Sequence, residues 1–527
     1  MTLANTGNHP GIGSFRLRIG TKEDLQTGEA EGSGFNGFQR AATGVAGLDG
    51  IIGGGFPRNR MYLVEGTPGA GKTTLALQFL LEGARRGEAG VYATLSETEE
   101  ELRDVAASHG WSLDAITICD LQTSEESLKA DSQYTLFHPS EVELSETTRS
   151  VLDIVERVNP TRVVFDSLSE MRLLARDSLR YRRQILALKH YFTERQCTVL
   201  LLDYPMQRSG DFQLQSLTHG VLTLEHLHPE YGGQRRRLRV QKIRGVRFHD
   251  GYPDFHIQTG GLAVYPRLVA SQERRHHIGE PASSGLPELD VMLGGGLVRG
   301  SSTIVLGPSG VGKSVITSQY VAAAAARGEP AAVFLFDESP ASWCSRGTSL
   351  GLDLERHVES GLIHLQQVDP AELSPGELAQ AVRQAVEEEG VRVVVIDSLN
   401  GYRQAMPEER YLTLHLHELL TYLNQQEVLT FLVLAQQGLV GAGVESPVEL
   451  TYLSDSIILL RFFEAFGQIR QAISVVKKRL GNHERTVREL QLGPGIRVGD
   501  QIRQFQGVLS GQLVYQGPDE RLLEGAE

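Results

Sequence analysis

Two stretches of this 527-residue chain carry the pattern G-x-x-x-x-G-K-[ST], and nothing else in it restricts the fold as severely. The first comprises Gly66, Thr67, Pro68, Gly69, Ala70, Gly71, Lys72 and Thr73; the second comprises Gly307, Pro308, Ser309, Gly310, Val311, Gly312, Lys313 and Ser314. Each follows an apolar run that reads as a strand (Met61 to Val64; Thr303 to Leu306) and opens a helical pattern. A glycine-rich turn between strand and helix lets backbone N–H groups converge on phosphate oxygens, and the helix N-terminus adds its dipole. In that context Lys72 and Lys313 reach the β/γ-phosphates, while Thr73 and Ser314 offer hydroxyls to Mg2+. The chain is expected to bind nucleoside triphosphate twice.

The surroundings of the two loops repeat as well. Gly47-Leu-Asp-Gly-Ile-Ile-Gly-Gly-Gly-Phe56 precedes the first, and Gly285-Leu-Pro-Glu-Leu-Asp-Val-Met-Leu-Gly-Gly-Gly-Leu297 precedes the second. Matching segments follow in the same order: strand-like Gly90 to Leu95 and Ala331 to Phe336, then Thr161 to Ser169 and Val391 to Asn400, then strand-like Cys197 to Asp203 and Leu429 to Ala435. The period of roughly 240 residues is that of a whole domain rather than a solenoid unit. Continuous apolar strands alternating with amphipathic helices predict an α/β fold, each copy a mostly parallel twisted sheet with helices on both faces. The expected organisation is a flexible arm over 1–40, a first domain over 41–268, a polar linker over 269–283, a second domain over 284–500, and a loop and tail over 501–527 that hang outside the second core.

Asp166 and Asp397 each end an apolar, mostly β-branched run. A carboxylate at the end of a buried strand costs desolvation unless a cation or donors face it, so beside a P-loop it reads as the group that holds Mg2+ through water. Capping of the next helix is the alternative. After the strand that follows the P-loop helix come Ser96, Glu97, Thr98, Glu99 and Glu100 in copy one and Asp337, Glu338 and Ser339 in copy two. Glu97, Asp337 and Glu338 are candidate catalytic bases, because activation of water or a hydroxyl needs a carboxylate near the γ-phosphate. A purely local role at a helix start is the other reading, and Glu99 and Glu100 fit it as solvated first-turn residues. Late in each copy Lys242-Ile-Arg244 and Lys477-Lys-Arg479 sit on strand patterns that place both cations on one face. They fit an arginine-finger role across a subunit boundary, or an ordinary solvated face. Arg172 and Arg403 are secondary candidates, Arg235-Arg-Arg237 reads as a solvated turn, and the spacing of His415 and His417 splays their rings apart on a helix, against a metal site.

A formal net charge of −14 disfavours nucleic acid as the main partner. Cys119, Cys197 and Cys344 are far apart, without C-x-x-C spacing, which suits a reduced cytoplasmic interior. No stretch approaches a membrane-spanning length.

With these motifs in register, residues from about 40 to 515 resemble the KaiC circadian-clock ATPases, double-domain members of the RecA-like superfamily. Leu453 to Arg461, Arg470 to Arg479 and Asn482-His-Glu-Arg485 are similar to that family's second domain in particular. The resemblance implies two tandem RecA-like P-loop NTPase domains, a homo-hexamer of two stacked rings held together by ATP, slow hydrolysis in the first domain, and autophosphorylation of a Ser-Thr pair in the second. It also implies clock or signalling proteins as partners. The family's acidic pair falls on Ser96 and Glu97 in the first domain, where one carboxylate is missing, and on Asp337 and Glu338 in the second. The phosphoacceptor pair falls on Thr451 and Tyr452, with Ser446, Ser454 and Ser456 nearby; in copy one the matching positions are Gln215 and Ser216. Gly507 to Val514 is similar to the family's inner-loop region, after which the chain soon ends. The leading expectation is a timing or signalling ATPase with serine/threonine autokinase activity. Alternatives are a DNA-dependent motor, against which the charge and 7% aromatic content speak, and a scaffold in which nucleotides only join subunits.

Overall fold

The computed structural model describes residues 39–121, 139–175, 177–205, 213–228, 232–268, 279–404, 409–436, 452–509 and 511–517. The chain divides into two compact units that part between Arg267 and Leu268.

The first unit is built on nine strands: β1 (Met61–Gly66), β2 (Gly90–Thr94), β3 (Ile116–Asp120), β4 (Arg162–Asp166), β5 (Thr198–Asp203), β6 (Gly220–Leu227), β7 (Arg235–Ile243), β8 (Asp254–Gln258) and β9 (Gly261–Tyr265). Their order in the sheet is β9-β8-β7-β6-β1-β5-β4-β2-β3. Every pairing from β3 to β6 is parallel, and β6 to β9 pair antiparallel. The helices are α1 (Lys72–Arg85), α2 (Glu99–Ser108), α3 (Pro139–Val158), α4 (Leu168–Ala175), α5 (Ser178–Glu194) and α6 (Gln213–Leu217).

The second unit repeats the plan with β10 (Ser302–Gly307), β11 (Ala331–Leu335), β12 (Ile363–Gln367), β13 (Val393–Asp397), β14 (Leu429–Ala435), β15 (Ser456–Ala465), β16 (Gln468–Lys478), β17 (Val487–Gly493) and β18 (Gly495–Gln501). Its order is β12-β11-β13-β14-β10-β15-β16-β17-β18, strand for strand that of the first. Its helices are α7 (Lys313–Ala326), α8 (Pro340–Ser349), α9 (Leu354–Glu359), α10 (Pro375–Glu387), α11 (Leu399–Gln404) and α12 (Glu409–Gln425).

Successive side chains of a strand point to opposite faces, and here both faces are apolar. Val163 and Phe165 of β4 join one core with Leu201 and Ile185, while Val164 joins the other with Leu77, Tyr92 and Leu200. A sheet covered on both sides explains the unbroken apolar runs. Each such buried side chain contributes roughly 1.5–3 kcal/mol before entropy is counted.

Two sequence expectations fail here. Arg235-Arg-Arg237 is no turn but the start of β7, half-buried against β6. Leu238 and Val240 anchor that strand in the core, and arginine stems can lie along apolar surface while their heads reach polar groups. The chain beyond Asp500 does not hang free either. Phe505–Gln506 pairs with Val514–Tyr515, and Val508 is buried with Phe463, Ala465 and Ala472 in a small satellite core.

Gly47 shows how tightly the entry to the first unit is set. It sits at φ 83° before a helical turn over Leu48–Ile51, and a Cβ there would stand 2.0 Å from the Val264 carbonyl oxygen. At Gly285, its counterpart, the nearest atom to such a Cβ is Gln319 Nε2 at 3.0 Å. Gly47→Ala is expected to cost about 3 kcal/mol and Gly285→Ala about 1 kcal/mol, read as urea midpoints of each variant. Equal costs would refute the close approach at Gly47.

Candidate functional site

In the first unit the C-terminal ends of β1, β5, β4 and β2 lie side by side, and they carry most of the residues singled out from sequence. The P-loop leaves β1 and closes onto α1 at Gly71, which has φ 94°. A side chain there would be strained, and its Cβ would meet Ile257 Cδ1 at 2.8 Å. Gly312 repeats the arrangement at φ 103°, with Leu492 Cδ1 at 2.6 Å. Because each helix starts on the lysine, its Nζ folds back over the loop. Lys72 Nζ donates to the carbonyls of Gly66 (2.7 Å) and Thr67 (3.3 Å), and Lys313 Nζ to that of Pro308 (2.7 Å). Burial pushes both ammonium groups below their usual range. Asp166, Asp203 and Glu97 oppose this for Lys72, and Asp397 and Asp337 for Lys313.

Asp166 ends β4, buried. Its burial pushes the carboxyl up, against hydrogen bonding from Tyr92 and Thr73 and the charge of Lys72. The Tyr92 phenol donates to Asp166 Oδ2 at 2.6 Å. Thr94 Oγ1 donates to the Glu97 carbonyl (2.7 Å) and accepts from the Glu97 N–H (3.0 Å), which pins the backbone that carries Glu97. The next residue, Thr98, caps α2 in a reciprocal capping box with Glu101, and Glu99 and Glu100 are exposed in that first turn. Glu97 Oε2 is buried without a hydrogen-bond partner among the described residues. Burial, then the charges of Asp166 and Glu101, push its carboxyl up to about 7, with Lys72 opposing.

In the second unit burial pushes Asp397 up to about 6, Ser314 opposing through a hydrogen bond and Glu338 adding to the rise. Val333 stands where Tyr92 stands in β2, and Asp397 Oδ2 has no partner among the described residues. Ser398 Oγ donates to Asp337 Oδ2 at 2.5 Å. Arg346, from α8, grips Glu338 with both terminal nitrogens, at 2.5 and 2.7 Å. The equivalent of Ser398 is Ser167, whose Oγ is buried without a hydrogen-bond partner among the described residues; Ser96 stands where Asp337 supplies the acid in the second unit. Ser96→Asp is expected to satisfy that hydroxyl and stabilise the first unit by about 1 kcal/mol, seen as a raised melting temperature; a lowered one would refute it.

The donor set fits Mg-ATP. Hydroxyls of the first helical turn stand beside buried strand-end carboxylates, Asp397 keeps an uncommitted oxygen, and hard oxygen donors of this kind suit Mg2+ with its retained waters. Lys72/Thr73 with Asp166, and Lys313/Ser314 with Asp397, are the residues that would hold it.

The cation pairs are placed alike in the two units. β7 ends at Ile243, so Arg244 lies one residue past the strand, and Arg479 lies one past β16. Lys242 donates to the Gln215 carbonyl and Arg244 to that of Ser216 at 2.6 Å. Lys477 donates to the Ser454 carbonyl at 2.7 Å and Arg479 to that of Tyr452 at 2.6 Å. Thr451 and Ser446 lie outside the described residues. Ser454 and Ser456 are buried, and Tyr452 is 51% exposed. Arg172 pairs with the buried Asp203.

Sequence reasoning passed over Tyr92, Arg346, Ser398 and Asp203. A tyrosine inside a fully buried strand was the one local signal; the others depend on which strand ends the fold sets side by side.

A family model described as the KaiC ATPase matches residues 41–269 and again 282–501. The chain is 26% identical over 498 residues to the circadian clock protein KaiC3 of Synechocystis sp., covering 92% of this chain and 96% of that protein. It is 26% identical over 506 residues to the circadian clock oscillator protein KaiC of Parasynechococcus marenigrum, covering 94% and 97%. Against the protein of the same name from Picosynechococcus sp. the identity is 27% over 496 residues, covering 92% and 94%. Among the described residues no helix is long and apolar enough to cross a membrane.

Proposed function

Since the chain belongs to the KaiC family of ATPases, we propose that it binds Mg-ATP at both P-loops, hydrolyses it slowly in its first domain and phosphorylates itself in its second. The observation that carries this reading is the doubled site: a P-loop lysine, a hydroxyl in the first helical turn and a buried strand-end aspartate occur together in both units. Bound Mg2+ would neutralise charge on the β- and γ-phosphates. Glu97 orients the attacking water in the first domain, with its free Oε2 as acceptor.

In the second domain Asp337 takes the proton of the acceptor hydroxyl. Glu338 is held by Arg346 and leaves Asp337, which accepts a hydrogen bond from Ser398, as the more available base. Thr451 is the acceptor, a role the buried Ser454 and Ser456 are poorly placed to fill. Lys242, Arg244, Lys477 and Arg479 complete each site from the adjacent subunit of a hexamer, and their anchorage on backbone carbonyls supports a fixed presentation. The assembled protein works as a timing or signalling device in the cytoplasm, read by clock or signalling proteins.

Native mass spectrometry with and without Mg-ATP tests the assembly: six subunits and two nucleotides per subunit are expected, and an active monomer would refute the shared sites. Phosphopeptide mapping over residues 446–456 tests the kinase; phosphate on none of them, under any nucleotide condition, removes that activity and leaves the ATPase. Asp337→Asn is expected to slow phosphate incorporation about 10²-fold and Glu338→Gln only severalfold. The reverse order would assign the base to Glu338.

A further inference from the structure

We propose that Gln215 couples the nucleotide state of a subunit's own first site to the cations that the same subunit lends to its neighbour. The inference rests on the reading that Lys242 and Arg244 act across a subunit boundary.

Glu65 is the last side chain of β1 before the P-loop glycine, and its register partner on β5 is Asp203. Both are buried. Asp203 Oδ1 accepts from Ser169 Oγ at 2.7 Å and from the Tyr204 N–H at 2.9 Å, and its other oxygen is gripped by Arg172. The Tyr204 ring centroid lies 4.4 Å from Lys72 Nζ, the group that must leave its carbonyl partners when a triphosphate enters. On the other side Gln215 Nε2 reaches the Glu65 carboxylate at 2.9 and 3.2 Å. Gln215 belongs to α6, and that short helix carries the carbonyls that hold Lys242 and Arg244. Gln215 thus ties α6, which holds the lent cations, to the end of β1, where the next residue, Gly66, carries the carbonyl that holds the P-loop lysine.

The chain has no need of this polar arrangement for folding, since the second unit does without it. Leu306 stands in place of Glu65 and Leu434 in place of Asp203, register partners in the same parallel pair. A buried acid that burial and Asp203 push up, against a hydrogen bond from Gln215 and the charge of Arg172, is costly where leucine would serve. What the glutamate adds is a hydrogen bond to the helix that holds the lent cations. Coupling between sites requires such a contact to differ between two states of the protein.

The test uses full-length hexamers in which Asp337→Asn quiets the second domain. Subunits with an intact first site are co-assembled with subunits carrying Lys72→Ala, which keep Lys242 and Arg244 but load no nucleotide there. If each site responds only to its own nucleotide, hydrolysis falls in proportion to the intact fraction; if it needs a loaded cation donor, hydrolysis falls as the square. At equal mixing the coupled ring retains about one quarter of the full rate, and the uncoupled ring about one half.

The intact rings are expected to follow the square, and rings with Gln215→Leu, Glu65→Leu or both to follow the straight line. Glu65→Leu installs the residue that β10 already tolerates at this position. The double variant should act no more strongly than either single one, as two halves of one contact do. A straight line for the intact rings overturns the inference while the ATPase reading stands, and so does a square law that survives both substitutions. Absence of hydrolysis in unmixed rings would overturn the ATPase reading itself.

Discussion

A chain carrying Lys72→Ala is expected to bind one nucleotide per protomer instead of two, and Lys72→Ala with Lys313→Ala none. In the structure Lys72 is half-buried and Lys313 buried, and the hydrogen bonds of both ammonium groups to the described residues go to carbonyls of their own loops. Burial works against their charge, which the neighbouring carboxylates alone sustain. A triphosphate exchanges those carbonyls for anionic oxygens, and charge-assisted hydrogen bonds are about twice as strong as neutral ones. Losing two of them at about 1.5–3 kcal/mol each weakens binding by at least about 10²-fold. Titration calorimetry with Mg-ATP reads the stoichiometry directly. Two equivalents retained by Lys72→Ala would mean that the first loop is not the site. On the proposal that nucleotides join the subunits, the double variant should also sediment as a monomer.

Glu97→Gln lowers first-domain hydrolysis about 10³-fold when the second domain is quieted by Asp337→Asn. The amide keeps the shape but cannot accept a proton or orient water as a carboxylate does. The pH profile separates this role from a structural one. With Glu97 pushed up to about 7 from 4.5 by burial and by Asp166, the ionised form dominates only above neutrality. The ratio kcat/KM, which reports the free protein, should therefore fall about tenfold between pH 8 and pH 6. The glutamine variant should show no such limb.

Stability carries the opposite sign. An acid whose carboxyl is raised on folding favours the fold most below its unfolded pKa, and that contribution is lost as pH rises through about 7. Glu97→Gln is thus expected to raise the melting temperature at pH 8 and leave it nearly unchanged at pH 4. A variant that hydrolyses at the parent rate at every pH would return Glu97 to a purely local role at the start of α2.

Much of this was legible without coordinates. The P-loops, the strands that feed them, Asp166 and Asp397 are local patterns whose physics is complete within a dozen residues. Duplication gave each of them a second witness. The basic run at Arg235 misled, because a row of charges resembles a solvated turn until Leu238 and Val240 are seen to seat it as a strand. The tail beyond Asp500 misled in the same way: its scattered Phe505, Val508 and Tyr515 become a core only against Phe463 and Ala465.

The chain on its own determined that there are two phosphate cradles, a parallel sheet under each, and carboxylates at the strand ends. Whether those carboxylates are available was decided by packing alone. Asp166 meets Tyr92 because β2 and β4 are neighbours in register, whereas the second unit has Val333 at the place of Tyr92, a side chain with no hydrogen bond to give. Glu338 is occupied because a helical turn returns Arg346 to it, and Ser167 is stranded because Ser96 is too short to answer it. Hydrogen bonds reach about 3 Å while the partners are up to 74 residues apart along the chain, so no pattern in the order of residues could have stated them.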